Sequence, residues 1–121
     1  MKQKLTKAEE EVMQLLWEHE PATVTQLLDH FEDKKPAHST VSTIIRILED
    51  KGFVDHKAYG RAHVYHSIIS KEEYSRFSLK EMVMKYFHGS MEKMVSFLVK
   101  ENEVDVAAME NILEEIKEEK K

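Results

Sequence analysis

The sequence predicts a mainly α chain: a winged helix-turn-helix of three helices plus a β-hairpin wing, followed by a helical domain. Three observations predict it. A Ser/Thr-studded helical segment, Ser39-Thr40-Val41-Ser42-Thr43-Ile44-Ile45-Arg46-Ile47-Leu48, ends at Lys51-Gly52 and runs into two short strand-like segments joined by Gly60-Arg61. Upstream, Thr6-Lys7-Ala8-Glu9 and Thr23-Val24-Thr25-Gln26 are capping boxes, each opening a helix. Downstream of a third capping box, Ser70-Lys71-Glu72-Glu73, aromatic and Met-rich stripes repeat at helical spacing.

The first helix is expected from about Lys7 to His19, with Ala8, Val12, Leu15 and Leu16 at helical spacing and Met13 and Trp17 widening the stripe. Pro21 interrupts it, and the second capping box opens a short helix through Leu27, Leu28 and Phe31. In the third helix Val41, Ile44, Ile45 and Leu48 recur at i, i+3, i+4, i+7 and face a core, leaving Ser39, Thr40, Ser42, Thr43 and Arg46 towards the other side. Gly52 suits a left-handed C′ position and marks a sharp stop. Phe53 to Tyr59 and Ala62 to Ile68 then read as strands, and their turn holds Lys57, Arg61 and His63 near an exposed tip. Tyr74, Phe77, Leu79, Val83, Tyr86 and Phe87 mark a fourth helix that Gly89 stops. A fifth spans about Met91 to Lys100, Asp105 caps a last one through Val106, Met109, Leu113 and Ile116, and the Glu118 to Lys121 tail is polar.

Cysteine is absent, which removes disulfides, thiol nucleophiles and thiolate metal sites together. The longest apolar run, Val106 to Met109, is far too short to span a membrane, and the N-terminus carries no apolar leader, so a cytoplasmic protein is expected. Net charge is −5, which argues mildly against nucleic-acid binding until it is resolved locally. From Lys34 to His66 six Lys and Arg face three acidic residues, a net of +3, so the rest of the chain carries −8. A basic island in an acidic chain is the footprint expected of a specific DNA binder, because phosphate contacts supply the salt-dependent part of affinity.

Ser39, Thr40, Ser42, Thr43 and Arg46 are therefore the candidate groove-reading residues, and Lys57, Arg61 and His63 the candidate wing contacts. Each has a plainer alternative. Small hydroxyls also satisfy the free N–H groups of a helix's first turn, and Arg46 has Glu49 and Asp50 three and four residues on as ion-pair partners. His38, His56, His63 and His66 invite a metal site, but His63 and His66 point to opposite faces of a strand, so no metal is expected. Trp17, Phe31, Phe53 and Tyr65 could stack on single-stranded bases, yet each falls where a core is expected.

About 50 residues cannot enclose the C-terminal stripes in a monomer, and a second copy solves the burial problem. The expected dimer seam is Met82, Met84, Met91, Met94, Val95, Phe97, Leu98, Met109 and Leu113, with Met filling irregular gaps. A two-fold pair would also present two recognition helices to successive major grooves, the geometry that reads palindromes.

The chain resembles the penicillinase-repressor family of bacterial transcriptional regulators, also called the BlaI/MecI/CopY family. The likeness rests on Leu5-Thr6-Lys7-Ala8-Glu9 with Val12-Met13 and Leu16-Trp17, Thr40 to Leu48, Lys51-Gly52-Phe53-Val54-Asp55-His56-Lys57, Gly60-Arg61-Ala62, Tyr65 and Phe87-His88-Gly89-Ser90. The resemblance implies a dimeric repressor on double-stranded palindromic operator DNA upstream of resistance or stress genes. In the better-known members a membrane sensor metalloprotease perceives a β-lactam, and the repressor is then cleaved in its dimerisation domain at an Asn-Phe pair. Counting from Gly89-Ser90, the corresponding place here is Phe97-Leu98, where the Asn is missing. A copper-responsive branch uses a cysteine cluster, and a chain without cysteine has no ligands for that mechanism.

The expectation is thus a homodimeric repressor whose residues 1–69 bind DNA and whose residues 70–121 dimerise, without catalytic residues, cofactor or metal. The rival reading is a winged-helix module that docks another protein and binds no DNA. An enzyme fits worst, since triad spacing, a phosphate-cradling Gly loop and a metal motif are all missing from the sequence.

Overall fold

The structure, a computed structural model, describes residues 4–119, and Lys120 and Lys121 of the polar tail lie outside the described residues. The order is α1 (Lys7–His19), α2 (Val24–Leu28), α3 (His38–Asp50), β1 (Val54–Tyr59), β2 (Ala62–Ser67), α4 (Lys71–Phe87), α5 (Met91–Lys100) and α6 (Val106–Glu119). Two compact units divide between Phe77 and Ser78, inside α4.

Local chemistry sets the boundaries of the first unit. Thr6 accepts from the Glu9 N–H at 3.2 Å while Glu9 accepts from the Thr6 N–H at 3.0 Å, and Thr23 and Gln26 repeat the reciprocal box at α2. α3 closes in a Schellman arrangement: the Phe53 N–H donates to Leu48 O at 2.9 Å and the Gly52 N–H to Glu49 O at 3.0 Å, with Gly52 at φ +83°. That turn buries Phe53 against Leu48 and aims the chain straight into β1.

β1 and β2 pair antiparallel, with His56 opposite Tyr65, Lys57 opposite Val64 and Ala58 opposite His63. Ala22 adds a third, single-residue rung: its N–H donates to Tyr65 O at 3.0 Å and the Tyr65 N–H returns to Ala22 O at 2.8 Å. The loop between α1 and α2 is thereby pinned to the root of the hairpin.

The core joins Val12, Met13 and Leu16 of α1, Leu27 of α2, Val41, Ile45 and Leu48 of α3, and Phe53, Val54 and Tyr65 around the hairpin. Ile44, Trp17 and Phe31 pack against it only partly buried. One expectation on α1 needs correcting, because Ala8 is exposed and Glu9 occupies the buried position beside Val12. The Glu9 carboxylate survives there because Lys51 Nζ, from the end of α3, lies 2.7 and 3.0 Å from its two oxygens. Burial pushes the Glu9 carboxyl up, but the Lys51 contact and the Thr6 hydrogen bonds outweigh it and hold it below the ordinary carboxylate range.

The first turns of α4 also belong to this core. Tyr74 is buried, its hydroxyl accepts from the Leu5 N–H at 2.9 Å, and its ring lies 5.8 Å from Phe53 and 5.9 Å from Trp17. Trp17 in turn donates from its indole to Ile69 O at 2.9 Å.

In the second unit Ser90 caps α5 by accepting from the Lys93 N–H, and Asp105 starts α6 by accepting from the Ala107 N–H. Val83 is buried and Phe87 packs on Phe97 at 5.8 Å, but α5 and α6 bury no residue fully.

Candidate nucleic-acid interface

α3 separates its two faces cleanly. Val41, Ile45 and Leu48 are fully buried, while Ser39, Thr40, Thr43 and Arg46 are exposed and Ser42 is half-buried at the edge. The exposed hydroxyls differ in what they have left to offer. Thr43 donates its proton to Ser39 O at 2.9 Å, the usual back-bond of a helical threonine, so towards a ligand it presents lone pairs and a methyl group. Ser42 Oγ lies 3.4 Å from His38 Nδ1, and His38 Nε2 lies 3.5 Å from Thr25 Oγ1, so His38 stands between the start of α2 and the middle of α3.

α3 and the hairpin bound a groove of about 440 Å³, lined by Ser42 and Arg46 from α3, Arg61, His63 and Tyr65 from the hairpin, and Thr23, Thr25 and His38 at its other end. Two guanidiniums thus converge from different elements on one concave surface. Arg46 is free to point outward: its sequence-level partner Glu49 is engaged instead by His56, whose Nδ1 lies 2.9 Å from Glu49 Oε1, and among the described residues Arg46 makes no ion pair. Tyr65 forms the groove floor at 5% exposure. Burial pushes its phenol above the ordinary value, with Glu49 adding to the rise and Arg46 offsetting part of it.

The structure does not gather every sequence-predicted residue into that groove. Ser42, Arg46, Arg61 and His63 come together there, and Ser39, Thr40 and Thr43 run along the exposed side of α3 beside it. Lys57 lies on the opposite face of the hairpin, in a separate hollow with Tyr59, Val64, His66, Glu20 and Pro21, because strand alternation places 57 and 63 on different sides. Thr23, Thr25 and His38 were not anticipated as groove residues. Their only sequence signal is position, since a capping Thr and the first residue of a helix are expected near other helix ends.

Other histidines pair away from the groove: His19 and His30 stack at 3.4 Å where α1 ends. Glu49, Asp55 and His56 form a cluster with ligand atoms within 4.8 Å of one another, but the His56 ring nitrogen facing it is already hydrogen-bonded to Glu49. Among the described residues no helix is long and apolar enough to cross a membrane.

Comparisons with known proteins converge on one group. The penicillinase repressor family model matches residues 5–118. The methicillin resistance regulatory protein MecI of Staphylococcus aureus (strain N315) is 26% identical over 113 residues, covering 90% of this chain and 92% of that protein. The penicillinase repressor of Bacillus licheniformis is 24% identical over 121 residues, covering 97% and 94%. Among solved structures, the DNA-binding domain of the repressor BlaI superposes with a TM-score of 0.53 at 27% identity over 61% of this chain and 94% of that one. The Bacillus licheniformis BlaI monomer in complex with the blaP half-operator gives 0.51 over the same shares, also at 27% identity. With a winged-helix first unit and a family match running through both units, the chain belongs to the penicillinase repressor family.

Proposed function

We propose that this protein is a sequence-specific DNA-binding transcriptional repressor that acts as a homodimer on a palindromic operator. One observation carries the reading: Arg46 on α3 and Arg61 on the wing meet on one concave surface, with Ser42 and His63 beside them and the rest of α3's polar face continuing from it. A guanidinium in a major groove takes a guanine edge in bidentate fashion, and one beside it takes phosphate. Ser39, Thr40 and Thr43 read adjacent base edges, and Arg61 and His63 hold the backbone. Lys57, on the other hairpin face, makes the weaker and more distant phosphate contact. That the solved BlaI monomer is in complex with a half-operator supports operator DNA as the ligand.

Residues 1–69 supply the DNA contacts and 70–121 the partner contacts. Met82, Met84, Met91, Phe97 and Leu113 are exposed, with Met94, Val95, Leu98 and Met109 half-buried, and a second copy would cover them. The protein works in the cytoplasm, where its operator lies, and binding rather than catalysis is its activity. Its targets are of the antibiotic-resistance class that the relatives' names suggest. Relief by a membrane sensor metalloprotease at Phe97–Leu98 would require α5 to unwind first, since both residues lie inside that helix.

A salt titration of duplex binding tests the reading against that of a protein-docking module. Counterion release predicts log affinity falling linearly with log salt, about 0.9 per phosphate contacted, with a specific duplex bound more tightly than generic DNA throughout. Affinity flat in salt, or no duplex binding, contradicts it.

A further inference from the structure

A two-stranded hairpin is only marginally stable by itself, so how the wing is held decides what it costs to present Arg61 to a ligand. Its root is fixed by buried Val54 and by the Ala22–Tyr65 rung. At the level of that rung, where His56 lies opposite Tyr65, one side-chain hydrogen bond joins α3 to the hairpin among the described residues, that between His56 Nδ1 and Glu49 Oε1 at 2.9 Å. It is an ion pair when the imidazole is protonated and a neutral hydrogen bond otherwise. The same imidazole stacks on His63 across the strands, ring centres 4.4 Å apart and planes within 17°, and leans against Tyr65 at 5.4 Å. Asp55 completes the surroundings, its Oδ1 accepting the His56 N–H at 2.8 Å. A continuous path therefore runs from the last turn of α3 through Glu49 and His56 to His63, which lines the groove beside Arg61.

We infer that His56 is a positioning residue for DNA binding: held by Glu49 and stacked on His63, it sets the angle at which the wing carries Arg61 and His63 alongside α3. His56 itself does not line the groove, so its effect is transmitted. The inference rests on the DNA-binding reading above, and its test separates the two.

That test is a double-mutant cycle of His56→Ala and Arg61→Ala in the full chain, read by binding to generic duplex DNA over a salt series. Each single variant is expected to weaken binding about three- to tenfold and to lower the salt slope by about one, while the double variant is little worse than Arg61→Ala alone. His56→Asn, whose amide N–H donates from near the Nδ1 position, should recover the slope. Where His56→Ala fails to fold by circular dichroism, Glu49→Ala breaks the same bond from α3 and is read identically. Strict additivity overturns the inference. So does a wild-type slope in His56→Ala beside a lowered slope in Arg61→Ala, with the DNA-binding reading left standing. Wild-type binding in both single variants removes the wing contact and the inference together.

Discussion

At the residue scale three positions carry separable consequences. Gly52 sits at φ +83° with open space where a Cβ would be, so Gly52→Ala meets backbone strain without a clash. A loss of about 1 kcal/mol in urea unfolding is expected, and Gly52→Asn should lose less because Asn tolerates the left-handed region. Lys51 partners Glu9, a residue that is 6% exposed, so Lys51→Met leaves that carboxylate buried without its counter-charge, held by Thr6 alone. That substitution should cost about 1–3 kcal/mol, checked by the same unfolding measurement. Because the Glu9 carboxyl is held below its ordinary value of 4.5, its contribution is present above that pH and is lost as pH falls through the depressed value. Wild-type stability should therefore drop on acidification below about 4.5, and Lys51→Met should show a shallower drop. Arg46 is exposed and makes no ion pair among the described residues, so Arg46→Ala should leave unfolding unchanged while weakening specific binding by about 1–3 kcal/mol.

Among the elements, the wing is the one whose two faces make different predictions. Arg61 lines the groove and Lys57 the opposite hollow. Arg61→Ala should lower the salt slope by about one, and Lys57→Ala by clearly less; equal drops would mean that the backbone contacts both faces. Sequence alone marked the extents of α1 and α5 and the body of α3 from Ser39 to Leu48, because capping boxes, Gly52 and Gly89 are local signals that the structure obeys. It also set Ser39, Thr40, Ser42, Thr43 and Arg46 on one polar helix face and Lys57, Arg61 and His63 at the wing tip, but that Ser42 and Arg46 share a groove with Arg61 and His63, and not with Lys57, is set by the fold. Other features were not legible. Ala8 and Glu9 exchange burial because Lys51, 42 positions away, supplies a counter-charge that no local pattern reveals. Tyr74 and Phe77 read as part of a continuous α4 stripe, yet they pack with the first unit, a tertiary fact set by Trp17, Phe53 and the Leu5 N–H. Nor could strand periodicity show that His56 of β1 meets Glu49 on α3.

For the molecule as a whole the second unit poses the burial question. α6 is helical over 14 residues without one fully buried side chain, and Val106, Ile112, Leu113 and Ile116 are at least two-fifths exposed. A helix of that length is marginal in water unless an apolar face is covered. A homodimer should therefore show helicity and thermal stability that rise with protein concentration, and Leu113→Glu should abolish that dependence, as followed by circular dichroism and sedimentation. The basic island and the acidic remainder fit the same picture, with positive charge concentrated where two copies would straddle a duplex.

The central claim is that Arg46 and its neighbours on α3 read DNA sequence, twice over in a two-fold pair. Selection of binding sites from a random duplex pool, run in parallel with wild type and Arg46→Ala, tests it most directly. Wild type should yield an inverted repeat with half-sites about one or more helical turns apart, and the variant a relaxed preference at one base pair of each half-site. Recovery of no motif by wild type, or of the same motif undiminished by Arg46→Ala, would contradict it.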